Sequence, residues 1–266
     1  SIHNGIGDIV KLFPFVNELI KYFEITIQTV EYNHSLITYF FKDKIKLERW
    51  ENHWYHNNDE RYDYVINLNH LYKFNDVCTW QDFVKYLPMG IHPVICYMFL
   101  LNGLKKEEFL PKEFSPSYNL TTSKTLNDHI LIFTKSTAGN RTLNKEFVNK
   151  IKSKYKDKPN VIIDPEYDAK IWLAKSIDEC KFVLTTDNGP LHISEACKTP
   201  YHALLTINSY NKFMKYYKYG TFSYPDIDCS PCNFHQNYCL EFGEKNYKCQ
   251  DKFNIKDIFK IIDKNL

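Results

Sequence analysis

At 266 residues, 44% of them hydrophobic, the chain is long enough for two modest α/β domains, each with its own core. Aromatic residues reach 16% while glycine numbers only 8, a balance that excludes a flexible low-complexity polypeptide. The 34 basic and 32 acidic residues nearly cancel, so no long-range field commits the protein to bulk nucleic acid or to an anionic membrane, and any anion must be held locally.

The chain opens on a turn-like His3-Asn4-Gly5-Ile6-Gly7, so the first strand of a sheet is expected to be trimmed away ahead of it. Apolar residues at Ile9, Leu12, Phe13, Val16, Leu19, Ile20 and Phe23 then follow helical spacing, with Pro14 read as lying in the first turns, where a missing N–H costs least. Glu24 to Gln28 reads as a strand, a mixed Tyr-, Phe- and Lys-rich segment follows, and Tyr64 to Leu68 reads as another strand. A helix is expected over Gly90 to Gly103, and its most apolar window, Val94 to Leu101, is far too short to cross a bilayer.

A polar segment with Pro116 and a Thr-Thr-Ser run marks a linker over 116–128, between a first domain of 1–115 and a second of 129–250. In the second domain strands are expected at His129 to Thr134, Val161 to Ile163, Phe182 to Thr185 and Ala203 to Ile207. Helices carrying Leu143, Phe147, Ile151 and Tyr155, then Ala169 to Ile177, then Pro190 to Cys197, separate them. This alternation predicts doubly wound parallel sheets, two Rossmann-like α/β domains facing a central cleft. Over 251–266, Ile255, Ile258, Phe259 and Ile262 lie on one face of an amphipathic helix expected to pack back across the domains.

Two turns carry the chemistry. Thr185-Thr186-Asp187-Asn188-Gly189-Pro190-Leu191-His192 places turn formers between a buried strand and a helix, with Asp187 or Asn188 as cap and Pro190 in the first turn. Gly189 lets a ligand approach the backbone, so the helix N-terminus suits a diphosphate, to which His192 would add a side-chain donor. Gly5-Ile6-Gly7-Asp8 opens the first helix with a carboxylate that the helix dipole favours. A full dinucleotide fingerprint is absent from both domains, which argues against a nicotinamide-dependent epimerase.

Together, Gly7-Asp8-Ile9 with Pro14 and Asp187-Asn188-Gly189-Pro190-Leu191-His192 with Ala196 and Thr199-Pro200 resemble glycosyltransferase family nine, the heptosyltransferases. Asn188 replaces the small residue that follows the aspartate in that family, and Tyr62-Asp63 before Val65 to Leu68 is similar to its Tyr-Asp strand. The loop Gly139-Asn140-Arg141-Thr142-Leu143 falls where the family has a phosphate-binding lysine before an aromatic, so Arg141 would take the lysine's place. The resemblance implies a GT-B enzyme with metal-independent, inverting chemistry, moving a sugar from a nucleotide-diphosphate donor to an acceptor hydroxyl. It implies Asp8 as general base, near Gly5 and Gly7, and donor contacts from Arg141, Glu166, Asp187, Asn188, Gly189, Pro190 and His192.

By the same analogy the acceptor is a lipopolysaccharide or other surface glycan or glycolipid. Trp50, Trp54 and Arg61, in a segment rich in aromatics and histidines, are acceptor candidates, because sugar rings stack on aromatic faces and arginine grips phosphates. A modified DNA base, as in phage glycosyltransferases, stays open as an alternative acceptor, and so does a GT-B protein that binds nucleotide sugars without turnover.

Of the 8 cysteines, Cys78, Cys96, Cys180 and Cys197 stand singly where buried reduced thiols are expected, which suggests a cytosol. The enzyme is therefore expected in the cytoplasm, at the inner membrane face or, for a viral chain, in the host. Cys229, Cys232, Cys239 and Cys249 form a C-x2-C-x6-C-x9-C tail that fits a structural zinc site; free thiols or a disulfide are the competing readings.

Overall fold

The computed structural model describes residues 6–21, 23–49, 127–210, 214, 217–232, 239 and 247–266, with the side chains of Asp8, Phe15 and Glu18 outside that description. The chain divides into two compact units, Ser1–Asn119 with Ala169–Ile171, and Leu120–Asp168 with Trp172–Leu266.

In the first unit the helical spacing of apolar residues gives α1 (Ile6–Leu19), which buries Ile9, Val10, Leu12, Phe13, Val16 and Leu19. Pro14 does not lie in the first turns as expected. The helix already starts at Ile6, so the proline sits in its interior and removes one backbone bond that the buried face must offset. The expected strand at Glu24 to Gln28 is β1 (Thr26–Thr29), paired in parallel with β2 (Lys46–Arg49) in the register Thr26 to Lys46. Between them runs α2 (His34–Phe41), so this is a βαβ crossover. Phe13 meets Phe41 edge-on, with ring centroids 5.0 Å apart. The strand expected at Tyr64 to Leu68 and the helix expected at Gly90 to Gly103 lie outside the described residues.

The second unit is a five-stranded, all-parallel sheet of β3 (Ile130–Phe133), β4 (Val161–Ile163), β5 (Phe182–Thr186), β6 (Tyr201–Leu204) and β7 (Gly220–Ser223), in the order β4-β3-β5-β6-β7. Every residue of β3, β5 and β6 is buried, the expected state of central parallel strands covered on both faces. Helices α3 (Lys145–Tyr155), α4 (Lys170–Glu179) and α5 (Gly189–Cys197) link successive strands. The C-terminal helix α6 (Ile255–Asn265) lays Ile258 and Ile262 into the second unit's core with Phe147, Ile151 and Ile130. Tyr155 fixes it there, donating its hydroxyl to the Asp263 carboxylate at 2.8 Å.

An asparagine side chain caps three of these helices. Asn144 accepts from the Phe147 N–H at 2.7 Å, Asn188 from Leu191 at 3.3 Å and Asn254 from Lys256 at 3.1 Å. Helix α5 ends on Lys198 in the left-handed region (φ 58°), which lets the Thr199 N–H reach back to the Ser194 carbonyl at 2.9 Å.

The strand expected at Ala203 to Ile207 begins two residues earlier, at Tyr201. Tyr201 and His202 look polar but are buried, each spending its polar atoms on a partner: Glu195 for the tyrosine hydroxyl, and Thr221 and Ser223 of β7 for the imidazole.

Candidate functional site

The chain enters the second unit at β3, turns to β4 on one side, and returns to β5 on the other. The strand order therefore reverses between β3 and β5, and in open parallel sheets the loops at the carboxyl ends of such a pair enclose the ligand crevice. The loop after β3 carries Arg141, and the loop after β5 carries Asp187 and Asn188 into α5. They meet: an Arg141 Nη1 lies 3.4 Å from Asp187 Oδ2, although the two residues are far apart in sequence.

Asp187 is 1% exposed, and a carboxylate so buried needs compensating partners. Arg141 supplies charge, the Asn208 side-chain amide donates to the same Oδ2, and His192 Nε2 stands 3.8 Å from Oδ1, beyond hydrogen-bond reach. The imidazole is oriented by its other nitrogen, which shares a 2.7 Å hydrogen bond with the Tyr217 hydroxyl. Asp187 Oδ1, Asn208 Oδ1 and Arg141 Nε, all buried atoms, have no hydrogen-bond partner among the described residues. Arg141 Nε is a donor, whereas the two oxygens are acceptors.

Asn188 is the cap, and its side chain is fully engaged. Its Oδ1 accepts from Leu191 N–H and from the Thr185 hydroxyl (2.7 Å), and its amide donates to the Lys135 carbonyl at 2.9 Å. Asn188 thereby ties the loop after β3 to the loop after β5. Gly189 and Pro190 open α5; Pro190 has no N–H and Leu191 gives its own to Asn188, so the Gly189 N–H and the positive end of the helix dipole are what this start offers an anion. The Arg141 guanidinium, 25% exposed, is the positive charge beside them.

Among the other expected donor residues, Glu166 is exposed on the segment after β4 and meets none of this network in the described contacts. Asp164, which the sequence reading passed over, does more. It adopts φ 48° and receives the Thr134 N–H at 2.7 Å and the Thr134 hydroxyl at 2.6 Å, joining the ends of β3 and β4. Its signal in the sequence is an Asp directly after the Val161 to Ile163 run, since Asp tolerates the left-handed region better than most residues.

Gly7 lies in the first turn of α1, and so does the backbone of Asp8; Gly5, Trp50, Trp54, Arg61 and the Asp8 side chain lie outside the described residues. In the first unit, Val30, Glu31, Tyr32 and Arg49, at and beyond the carboxyl ends of β1 and β2, line a cleft of about 510 Å³ with the Tyr32 ring 54% exposed. Cys180 and Cys197 are buried thiols, as expected. Among the described residues no three His, Cys, Asp or Glu side chains are arranged to hold a metal ion, and no helix is long and apolar enough to cross a membrane.

A parallel sheet whose switch point carries an anion-favouring helix start, together with the second parallel βαβ unit, defines the class: an α/β protein of the GT-B fold. Solved structures of heptosyltransferases and of a family 9 glycosyltransferase are similar to this chain over nearly all of its length. Escherichia coli heptosyltransferase WaaC with ADP matches at TM-score 0.63 and 11% identity, over 99% of this chain and 98% of that one. E. coli ADP-heptose LPS heptosyltransferase II matches at TM-score 0.66 and 13% identity, over 99% and 96%. A glycosyl transferase family 9 protein of Veillonella parvula DSM 2008 matches at TM-score 0.65 and 13% identity, over 99% and 95%. No protein-family model and no curated protein matches the sequence. At such identities the likeness defines the fold, and the activity must be argued from the site.

Proposed function

We propose that the protein is an inverting glycosyltransferase that takes a sugar from a nucleoside-diphosphate donor and passes it to a hydroxyl of a glycan or glycolipid. One observation carries this reading. Arg141, on the loop after β3, and the Asn188-capped start of α5, on the loop after β5, come together at the strand-order reversal, where the Arg141 Nε donor has no hydrogen-bond partner among the described residues. A diphosphate there would be met by a guanidinium and by the Gly189 N–H at the positive end of the helix.

The reaction is a single displacement. Asp8 removes the acceptor's hydroxyl proton, the oxygen bonds to the anomeric carbon, and the bond from that carbon to the diphosphate oxygen breaks. The departing nucleoside diphosphate keeps the electron pair, and Arg141 with the α5 N-terminus stabilises its charge. Buried reduced thiols at Cys180 and Cys197 agree with a cytoplasmic setting.

A thermal-shift panel of nucleoside diphosphates and their sugars tests donor binding, because a cognate ligand stabilises the fold by mass action. Asp8→Ala is expected to leave that stabilisation nearly intact while lowering sugar transfer by at least about a hundredfold. Unchanged turnover in the variant removes the role from Asp8, and no stabilisation by any member of the panel removes the donor site.

The cysteine tail is read as a structural zinc site with no part in the chemistry. The Asp226 N–H donates to the Lys252 carbonyl at 2.9 Å, which brings the Cys229 loop beside the Cys249 turn. Burial, then the neighbouring thiols of Cys229, Cys239 and Cys232, push the Cys249 thiol up to about 11, so the four sulfurs share one neighbourhood. They are not in a ligating array, and zinc would have to draw them together. Elemental analysis of the purified chain is expected to find zinc, with chelation lowering the melting temperature; a zinc-free protein with unchanged stability rejects the site.

A further inference from the structure

We infer that Gln250, on the short helical turn Lys248–Asp251 near the C-terminus, is a positioning residue for Arg141; the inference rests on the reading of Arg141 as a diphosphate ligand.

Arg141 closes the single turn Gly139–Arg141, whose ends are fastened locally. The Leu143 N–H donates to the Thr134 carbonyl at 2.9 Å, and the Thr142 hydroxyl bridges Ser136 by accepting its N–H at 3.0 Å and donating to its carbonyl at 3.1 Å. The middle of the turn is held from elsewhere. Gln250 donates its side-chain amide to the Gly139 carbonyl at 2.6 Å, across a separation of 111 residues. The Thr206 hydroxyl donates to the Asn140 carbonyl at 2.7 Å, while the Ser230 hydroxyl donates to the Thr206 carbonyl at 2.7 Å. The ring of Tyr247 closes over Gly139 so tightly that a Cβ there would lie 3.3 Å from Tyr247 Cε2.

The guanidinium itself is weakly tethered. Its contact with Asp187 is a single Nη1 at 3.4 Å rather than a paired fork, and its Nε has no hydrogen-bond partner among the described residues. Where the charge can reach depends on the backbone that carries it, and the middle of that backbone is gripped by Gln250 and Thr206. Displacing a binding group by about an ångström is enough to weaken an anion site, so a side chain that touches no ligand can still set affinity.

The test uses inorganic pyrophosphate, which carries no base or sugar, titrated into the full chain, with amide hydrogen exchange of Arg141 and Thr142 read in parallel. Gln250→Met keeps the size and the neutrality of the side chain but removes the donor. It is expected to weaken pyrophosphate binding about three- to tenfold, the scale of one neutral hydrogen bond, and to speed exchange at both amides. On an Arg141→Ala background, Gln250→Met should cost nothing more, because the group it positions is gone. Arg141→Ala weakened while Gln250→Met binds like wild type overturns the positioning role. Wild-type affinity in Arg141→Ala overturns the diphosphate reading of Arg141 itself, and the inference falls with it.

Discussion

Two buried carboxylates on either end of α5 occupy opposite edges of the same sheet. At the amino-terminal edge Glu195 is saturated: its oxygens accept from the Lys218 N–H at 2.8 Å, the Tyr219 N–H at 3.2 Å and the Tyr201 hydroxyl at 3.0 Å. At the carboxyl-terminal edge Asp187 holds Arg141 and Asn208 on one oxygen and leaves the other without a hydrogen bond among the described residues. Glu195 stitches α5 to the starts of β6 and β7, whereas Asp187 keeps one oxygen open among the described residues beside Arg141 and the start of α5.

If that contrast is right, substitutions at the two edges should separate binding from stability. Arg141→Ala is expected to weaken nucleoside-diphosphate or pyrophosphate binding about ten- to a hundredfold, the range for a charge-assisted hydrogen bond, at a smaller cost in stability than Glu195→Ala because Asn208 still donates to Asp187; calorimetric titration beside a denaturant curve reads both. Glu195→Ala should do the reverse. It strands three donors and is expected to cost about 2–4 kcal/mol of stability while the refolded fraction binds as before. A Glu195→Ala chain that kept its stability but lost ligand binding would break the comparison.

A smaller effect sharpens it. Burial pushes the Glu195 carboxyl above its ordinary range, with the Lys218 and Tyr219 N–H groups and the Tyr201 hydroxyl pulling the other way. A folded-state value above the unfolded one means that the stability Glu195 contributes is full at pH below the unfolded value and is lost as pH rises through the folded value. The difference in unfolding free energy between wild type and Glu195→Gln, which does not titrate, should therefore shift against wild type as pH rises across that window. A flat difference would mean that the carboxylate is as well accommodated ionised as neutral.

Much of the second unit is legible in the sequence, because continuous apolar runs such as Ile130 to Phe133 and Phe182 to Leu184 are the mark of central parallel strands and Asn188 before Gly189-Pro190 announces a helix start. Strand β7 was not legible. Gly220–Ser223 is a half-exposed edge whose identity comes from pairing with β6, and the bonds from His202 to Thr221 and Ser223 have no local signature. Helix α2 was hidden for another reason. Its β-branched and aromatic residues are poor helix formers, and burial of Leu36, Ile37, Phe40 and Phe41 overrides that preference. In the site, the run from Asp187 to His192 was readable as a capped turn opening a helix. What could not be read was the meeting of Asp187 with Arg141, Asn208 and, through His192, Tyr217, since contacts made across strand ends depend on the order of the strands.

The central claim is that the edge carrying Arg141 and the start of α5 binds the diphosphate of a nucleotide sugar. The most direct measurement maps amide protection across the second unit with and without the tightest-binding nucleoside diphosphate. Protection should rise at 139–142 and 188–192 and stay unchanged at 195–201 and 218–220. Protection confined to the Glu195 edge, or absent from both loops at saturating ligand, would contradict the account.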